Sequence, residues 1–169
     1  MVLQEKIKYG LYLFTKGWDF PLIDKMRVKI LCSLLKNDCK NLIVRSNVII
    51  HGFENLKIGN DVSINHGCFI SAEGGLKIGD YVSIGHNTSI ITTEHSYTLE
   101  NKPIKYQPIL KKEVLLNNNI WIGANVTILA GVSLAEGTIV AAGAVVNRSV
   151  YEDNTIIGGV PAKKIKSYK

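Results

Sequence analysis

The sequence predicts an all-β core, a parallel β-helix of triangular section, preceded by a short α-helical N-terminal segment. Two observations predict the β-helix. An aliphatic residue recurs every sixth position, at Ile58, Ile64 and Ile70, then Ile78, Ile84 and Ile90, then Leu116, Ile122, Ile128, Leu134, Val140 and Val146. Four residues beyond most of these stands a small or β-branched side chain, as at Val62, Cys68, Val82, Thr88, Ile120, Val126, Val132, Thr138 and Ala144. A third observation predicts the helices: residues 1 to 40 lack the hexad, and their apolar residues are spaced among lysines in helical fashion.

In chain order, Leu11, Leu13 and Phe14 belong to a first helix and Ile30, Leu31, Leu34 and Leu35 to a second. Pro21, which cannot sit inside a helix, divides the two. Residues 1–40 are thus read as a helical segment capping residues 41–169. The capping role follows because an open end of a β-solenoid is an unpaired edge that invites aggregation. The segment also holds eight Lys/Arg against four Asp/Glu, beside Phe14, Trp18 and Phe20, a pattern that suits peripheral contact with anionic lipid.

Each hexad supplies one short strand and one corner. Glycine often follows the key aliphatic residue, at Gly59, Gly79, Gly85 and Gly123, where a corner needs close chain approach. Three hexads make a coil of 18 residues, and coils stack at the spacing of hydrogen-bonded strands, about 4.8 Å. From Ile70 to Ile78 the step is eight, so Gly74 and Gly75 are expected in a two-residue bulge that leaves the stacking intact, with His66 and His86 one above the other. The repeat breaks between Ser96 and Glu113, a polar stretch too long for a corner and therefore an extended loop at 96–113.

Composition narrows the function. The chain is 46% apolar but only 8% aromatic, which fits an aliphatic column. The net charge of +6 is carried by dispersed lysines without a nucleic-acid-binding signature, so a phosphorylated ligand or an anionic membrane is the expected partner, and nucleic acid is not. Cys32, Cys39 and Cys68 are odd in number and form no CxxC pair, which points to a reducing, cytoplasmic setting. No apolar run approaches the roughly 18 residues of a membrane span.

Four histidines are available as bases at neutral pH: His51, His66, His86 and His95. His95 is the best placed, closing the last unit before the break in Ile91-Thr92-Thr93-Glu94-His95-Ser96-Tyr97. Asn65 reads equally well as a corner residue, and Trp121 as a cap on the core.

The stretch Val82 to Tyr97, the loop, Ile120-Trp121-Ile122-Gly123-Ala124-Asn125-Val126 and the ending Gly158-Gly159-Val160-Pro161-Ala162 resemble the hexapeptide-repeat acyltransferases. Within that family the likeness is to the sugar and polysaccharide O-acetyltransferases of the galactoside and maltose type. It covers residues 58 to 166 and implies a left-handed β-helix, against the usual right-handed crossover rule.

The resemblance further implies an acetyl-CoA-dependent O-acetyltransferase with no metal and no covalent intermediate, working as a cytoplasmic homotrimer. By that match His95 is the catalytic base, Asn65 holds the acceptor, and the Ala124 amide receives the developing oxyanion. Trp121, Gly123, Ala124, Ala141 and Ala142 line the pantetheine path, Pro161 and Ala162 abut adenine, and Asn147, Arg148, Lys163 and Lys164 meet phosphates. His66, His86 and Tyr97 join Asn65 as candidates to touch the acceptor, a small-molecule or lipid-linked saccharide of capsule or O-antigen biosynthesis. Glu94 and Glu113 are candidates to orient the His95 ring.

The chain departs from the family at its N-terminus, which lacks the familiar acceptor-binding motif, and has Ser149 where an aspartate is common. Serine acetylation and amino-sugar N-acetylation are the competing acyl transfers. A metal hydratase of the γ-carbonic anhydrase type shares the fold but pairs two histidines with four residues between them, whereas the histidines here are 15, 20 and 9 positions apart. A non-catalytic scaffold is the remaining alternative.

Overall fold

The computed structural model describes residues 3–169. Two helices, α1 (Leu3–Thr15) and α2 (Pro21–Leu35), precede a left-handed parallel β-helix. Pro21 stands at the start of α2, where its missing N–H removes no helical bond.

The prism has three faces. Face I stacks Ile43–Val44, Ser63–Ile64, Ser83–Ile84, Trp121–Ile122, Ile139–Val140 and Thr155–Gly158 in parallel, closed by antiparallel Lys163–Ser167. Face II stacks Ile49–His51, Phe69–Ser71, Ser89–Ile91, Thr127–Ile128 and Val145–Val146. Face III stacks Leu56–Ile58, Leu76–Ile78, Val114–Leu116 and Ser133–Leu134.

All twelve hexad positions point inward and are at most 3% exposed. Their partners four residues on are buried too, so most corners deliver one large and one smaller side chain to the core, Ile120 being a large one. The columns run one coil further toward the N-terminus than the hexad rule reached: Val44 and Ile50 continue faces I and II below Ile64 and Ile70. A step of eight between Ile50 and Ile58 hid them, the same irregularity that recurs at Ile70 to Ile78.

In that second case the register holds. Ile70 pairs with Ile90, and Ile78 with Leu116. Gly75 takes φ of +100°, and a Cβ on Gly74 would lie 2.1 Å from the Thr92 carbonyl oxygen. The corners between faces I and II use a left-handed residue at each level, namely Asn47, Gly67, Asn87, Asn125 and Gly143.

The hydrogen bonding at the first coil explains the helices. N–H groups at the strand starts donate to the next coil up, as from Ile43 to Val62, Ser63 to Val82 and Ile49 to Cys68, while others donate to the coil below, as from Gly67 to Ser46 and Ala72 to His51. The first coil has no coil beneath it, so its base-facing carbonyls, at Val44, Val48, Ile50 and Ile58, need donors from elsewhere. The helical segment supplies donors: Tyr12 to Val48, Tyr9 to Ile50, Arg27 to Val44 and Asn37 to Ile58, each at 2.9–3.0 Å. The edge is thus satisfied rather than merely covered.

Arg27 is the keystone of that base. Its side chain is fully buried and also donates to the carbonyls of Thr15 and Trp18, both at 2.7 Å, and to Asp24 at 2.6 Å. Asp24 is shared with Arg45 at 2.8 Å.

Candidate functional site

The corner between faces I and II carries a column of backbone that can face a ligand. Bonds from Gly67 N to Ser46 O, Asn87 N to His66 O, Asn125 N to His86 O and Gly143 N to Ala124 O align Ser46, His66, His86, Ala124 and Ala142 in vertical order. Among the described residues the Ala124 N–H has no hydrogen-bond partner. Its neighbours must be glycine: a Cβ on Gly85 would lie 2.6 Å from Ala124 N, and one on Gly123 2.6 Å from Ala142 N. Ala142 is exposed and Ala141 half-buried, so the upper part of the column is small and open.

Asn65 enters the same corner one coil below Ser83–Ile84. Its φ is not left-handed, so backbone strain does not account for an asparagine there. Its Nδ2 donates to the Ile84 carbonyl at 2.8 Å, which fixes the amide and leaves Oδ1 free to accept. His66 Nδ1 lies 2.9 Å from Ser46 Oγ, and His86 is exposed.

His95 sits elsewhere. The chain leaves the coil at Thr92, slightly earlier than the expected break, and runs out along Thr93–His95 to return along Ile109–Lys111 as an antiparallel ribbon. His95 pairs by backbone with Ile109, is exposed, and among the described residues its ring has no hydrogen-bond partner. The carboxylates expected to orient it are engaged otherwise: Glu94 with Lys112, and Glu113 with Lys77 at 3.0 Å.

Sequence reasoning missed Gln107. This buried side chain clasps the ribbon tip, accepting from Leu99 N at 3.1 Å and donating to Leu99 O and Lys102 O at 3.1 and 2.8 Å. Nothing local in the sequence marks it, since a glutamine in a polar loop looks solvated. Tyr97, near the base of the tip, is 77% exposed.

The ribbon departs from the corner between faces II and III, whereas Asn65 and Ala124 occupy the corner between I and II. Six residues separate His86 from Thr92, up to roughly 20 Å of extended chain. A single chain therefore leaves His95 and the Ala124 amide on opposite sides of face II.

Trp121 projects from face I between Ser83 and Ile139, 59% exposed. It is no cap on the core. Toward the C-terminal end, Asn147, Arg148, Pro161 and Lys163 are exposed and Ala162 is half-buried. Lys164 is less available, since Glu152 takes its ammonium at 2.6 Å, and Ser167 joins the same carboxylate. Lys164 and Ser167 hold that carboxyl below the usual range. Arg148, Ala162 and Lys164 border a cleft of about 220 Å³ with Tyr151. Ser149 accepts from the Ser133 N–H at 3.0 Å, a structural task.

Two larger cavities, of about 470 and 620 Å³, lie against α2 and hold none of these residues. Among the described residues no three His, Cys, Asp or Glu side chains converge on a metal position. Two of the thiols are poor nucleophiles: burial pushes Cys68 up, and burial with the adjoining Cys32 pushes Cys39 up to about 11.

No family model matches the sequence, and no curated protein matches it by sequence. Solved structures do match. A hexapeptide-repeat acetyltransferase from Vibrio cholerae, in complex with acetyl coenzyme A, superposes with a TM-score of 0.85 at 25% identity, over 98% of this chain and 87% of that one. A maltose O-acetyltransferase from Clostridium difficile gives 0.84 at 22% identity, over 98% and 86%. An N-acyltransferase from Bacillus cereus, solved with coenzyme A and dTDP-4-amino-4,6-dideoxyglucose, gives 0.61 at 25% identity, over 77% and 82%. The protein has the fold of the hexapeptide-repeat acetyltransferases. Among these structures, the V. cholerae and C. difficile enzymes match it over nearly its whole described length, helices included.

Proposed function

We propose that the protein is an acetyl-CoA-dependent O-acetyltransferase acting on a sugar hydroxyl, in cytoplasmic assembly of a bacterial surface polysaccharide such as capsule or O-antigen. One observation carries the reading: an exposed histidine with an unengaged ring stands on a projecting ribbon, while an unpaired N–H at Ala124 stands in an open column of small residues. The V. cholerae complex with acetyl coenzyme A supports the donor, and the B. cereus complexes support a sugar acceptor.

In the reaction, a ring nitrogen of neutral His95 takes the proton of the acceptor hydroxyl as its oxygen attacks the thioester carbon. A C–O bond forms and the carbonyl electrons move to oxygen, where the Ala124 N–H stabilises the charge by a few kcal/mol. Collapse breaks the C–S bond, and His95 returns the proton to sulfur. Asn65 presents Oδ1 to the acceptor, with His66, His86 and Tyr97 around it. The pantetheine arm passes Trp121, Gly123, Ala141 and Ala142. Pro161 and Ala162 meet the adenine, and Asn147, Arg148 and Lys163 the phosphates.

The working unit is a homotrimer, in which the ribbon of one copy reaches the I–II corner of the next. The width of face II between His95 and Ala124 within one chain supports this, since only a neighbour completes the site. Transfer to an amino sugar is the second reading, favoured by the B. cereus N-acyltransferase. A hydroxyl needs a base where a neutral amine does not, which ranks O-transfer first.

The test is His95→Ala, assayed with acetyl-CoA and a panel of sugars and amino sugars. Turnover should fall about 10²- to 10⁴-fold while calorimetric affinity for acetyl-CoA stays within about twofold. Near-normal turnover would remove His95 from its role, zinc binding without acetyl-CoA binding would favour a hydratase, and neither ligand binding would leave a scaffold.

A further inference from the structure

The α1–α2 hairpin presents an apolar surface that the fold does not use. Helix α1 is apolar on two opposite sides. Tyr9, Tyr12 and Leu13 pack against the core, whereas Leu3, Ile7, Leu11, Phe14 and Trp18 recur at steps of four, four, three and four and are 51 to 73% exposed. At about 100° per residue the four on α1, Leu3, Ile7, Leu11 and Phe14, fall within a strip of about 80°, and Trp18 follows in the turn after it. Phe20, Leu22 and Met26 extend the strip around the turn onto α2, 46 to 61% exposed.

The eight side chains expose on the order of 1,000 Å² of largely apolar surface, above the 300–600 Å² of the largest patch on an ordinary monomer. Its direction follows from the capping bonds. Tyr9 and Tyr12 reach the base-facing carbonyls of Ile50 and Val48, so the opposite side of α1 points along the prism axis, away from the coils.

Charge selects the occupant. Asp24 is held between Arg27 and Arg45, and Glu5 pairs with Lys36 at 3.3 Å. Among the described residues Lys6, Lys16, Lys25 and Lys29 take part in no ion pair, against Asp19 as the one acid of residues 3–35 left so. A second copy of this surface would meet like charge, whereas a layer of phosphate headgroups meets opposite charge.

We propose that the base of the prism docks on an anionic lipid bilayer, the apolar strip entering the boundary between headgroups and acyl chains and the lysines contacting lipid phosphates. Trp18, Phe14 and Phe20 are the aromatic anchors suited to that depth. The inference stands whether or not the acetyl-transfer reading holds, because its test reads binding alone.

The experiment is co-sedimentation of the full chain with vesicles of phosphatidylcholine alone and of phosphatidylcholine mixed equally with phosphatidylglycerol. Partitioning should favour the mixed vesicles about tenfold or more and collapse at high salt. The variant Ile7→Ser/Phe14→Ser/Trp18→Ser alters only exposed positions and should lose binding with an unchanged sedimentation coefficient. Failure of the wild type to bind mixed vesicles, or undiminished binding by the triple variant, would overturn the proposal. So would a change of oligomeric size in that variant, which would make the strip a protein interface.

Discussion

Replacing Arg27 by methionine tests how the β-helix is closed at its base. The substitution keeps much of the buried volume but removes four hydrogen bonds, to Asp24 and to the carbonyls of Thr15, Trp18 and Val44. Three of these acceptors join the end of α1 and the turn after it to the first strand of face I. Charge-assisted hydrogen bonds contribute about 1.5–3 kcal/mol each, but burying the guanidinium costs several kcal/mol, so the terms do not simply add. Breaking one side of a buried ion pair generally costs about 3–5 kcal/mol. Asp24 keeps Arg45, which places the expected loss near 3 kcal/mol.

The loss should be local. A helix of 13 residues is marginal by itself, so α1 and α2 open as a unit once their anchor goes, while the hexad column is untouched. At 1.4 kcal/mol per tenfold, amide exchange in residues 3–35 should accelerate about a hundredfold or more, with residues 114–146 unchanged. Hydrogen exchange read by mass spectrometry measures both regions in one sample. Arg27→Lys, which keeps the charge but not the planar fan of donors, should fall between the two. Acceleration below about fivefold, or equal acceleration in both regions, would refute the keystone argument.

Three further outcomes are expected. Gly85→Ala forces a Cβ to 2.5 Å from the Gly123 carbonyl carbon and should destabilise the protein by about 1–3 kcal/mol in denaturant titration, with acetyl transfer falling alongside because the Ala124 amide shifts. Gln107→Ala should leave the melting temperature nearly unchanged but open the ribbon to proteolysis around residues 99–106, since it unties three bonds in the tip. Cys39 should resist iodoacetamide at pH 7.5, its rate climbing about tenfold per pH unit toward 11, because burial favours the neutral thiol; rapid alkylation at neutral pH would contradict the packing.

The sequence by itself determined the β-helix. The hexad works because inward positions must be aliphatic at every level of a narrow prism, so the constraint is local, repeated and visible in one dimension. All twelve hexad residues are buried, and the step of eight at Gly74–Gly75 preserves register. Pro21 likewise separates the helices for a local reason. Trp121 was ambiguous, because one residue's outward direction on a two-residue strand carries no period of its own.

Tertiary structure decided what depends on residues distant in sequence. The base-facing carbonyls of the first coil, and therefore the tasks of Tyr9, Tyr12 and Arg27, follow from the lack of a coil beneath it, which no spacing reveals. The engagement of Glu94 by Lys112 and of Glu113 by Lys77 removes both expected partners of His95, and the clasp by Gln107 unites residues that composition reads as solvated loop. Above all, the sequence brings His95 within a few residues of a strand, but only the prism shows that face II lies between that histidine and the Ala124 amide. Hydrophobic burial repeats with the chain and can be read along it, whereas a site assembled across corners depends on how coils stack in three dimensions.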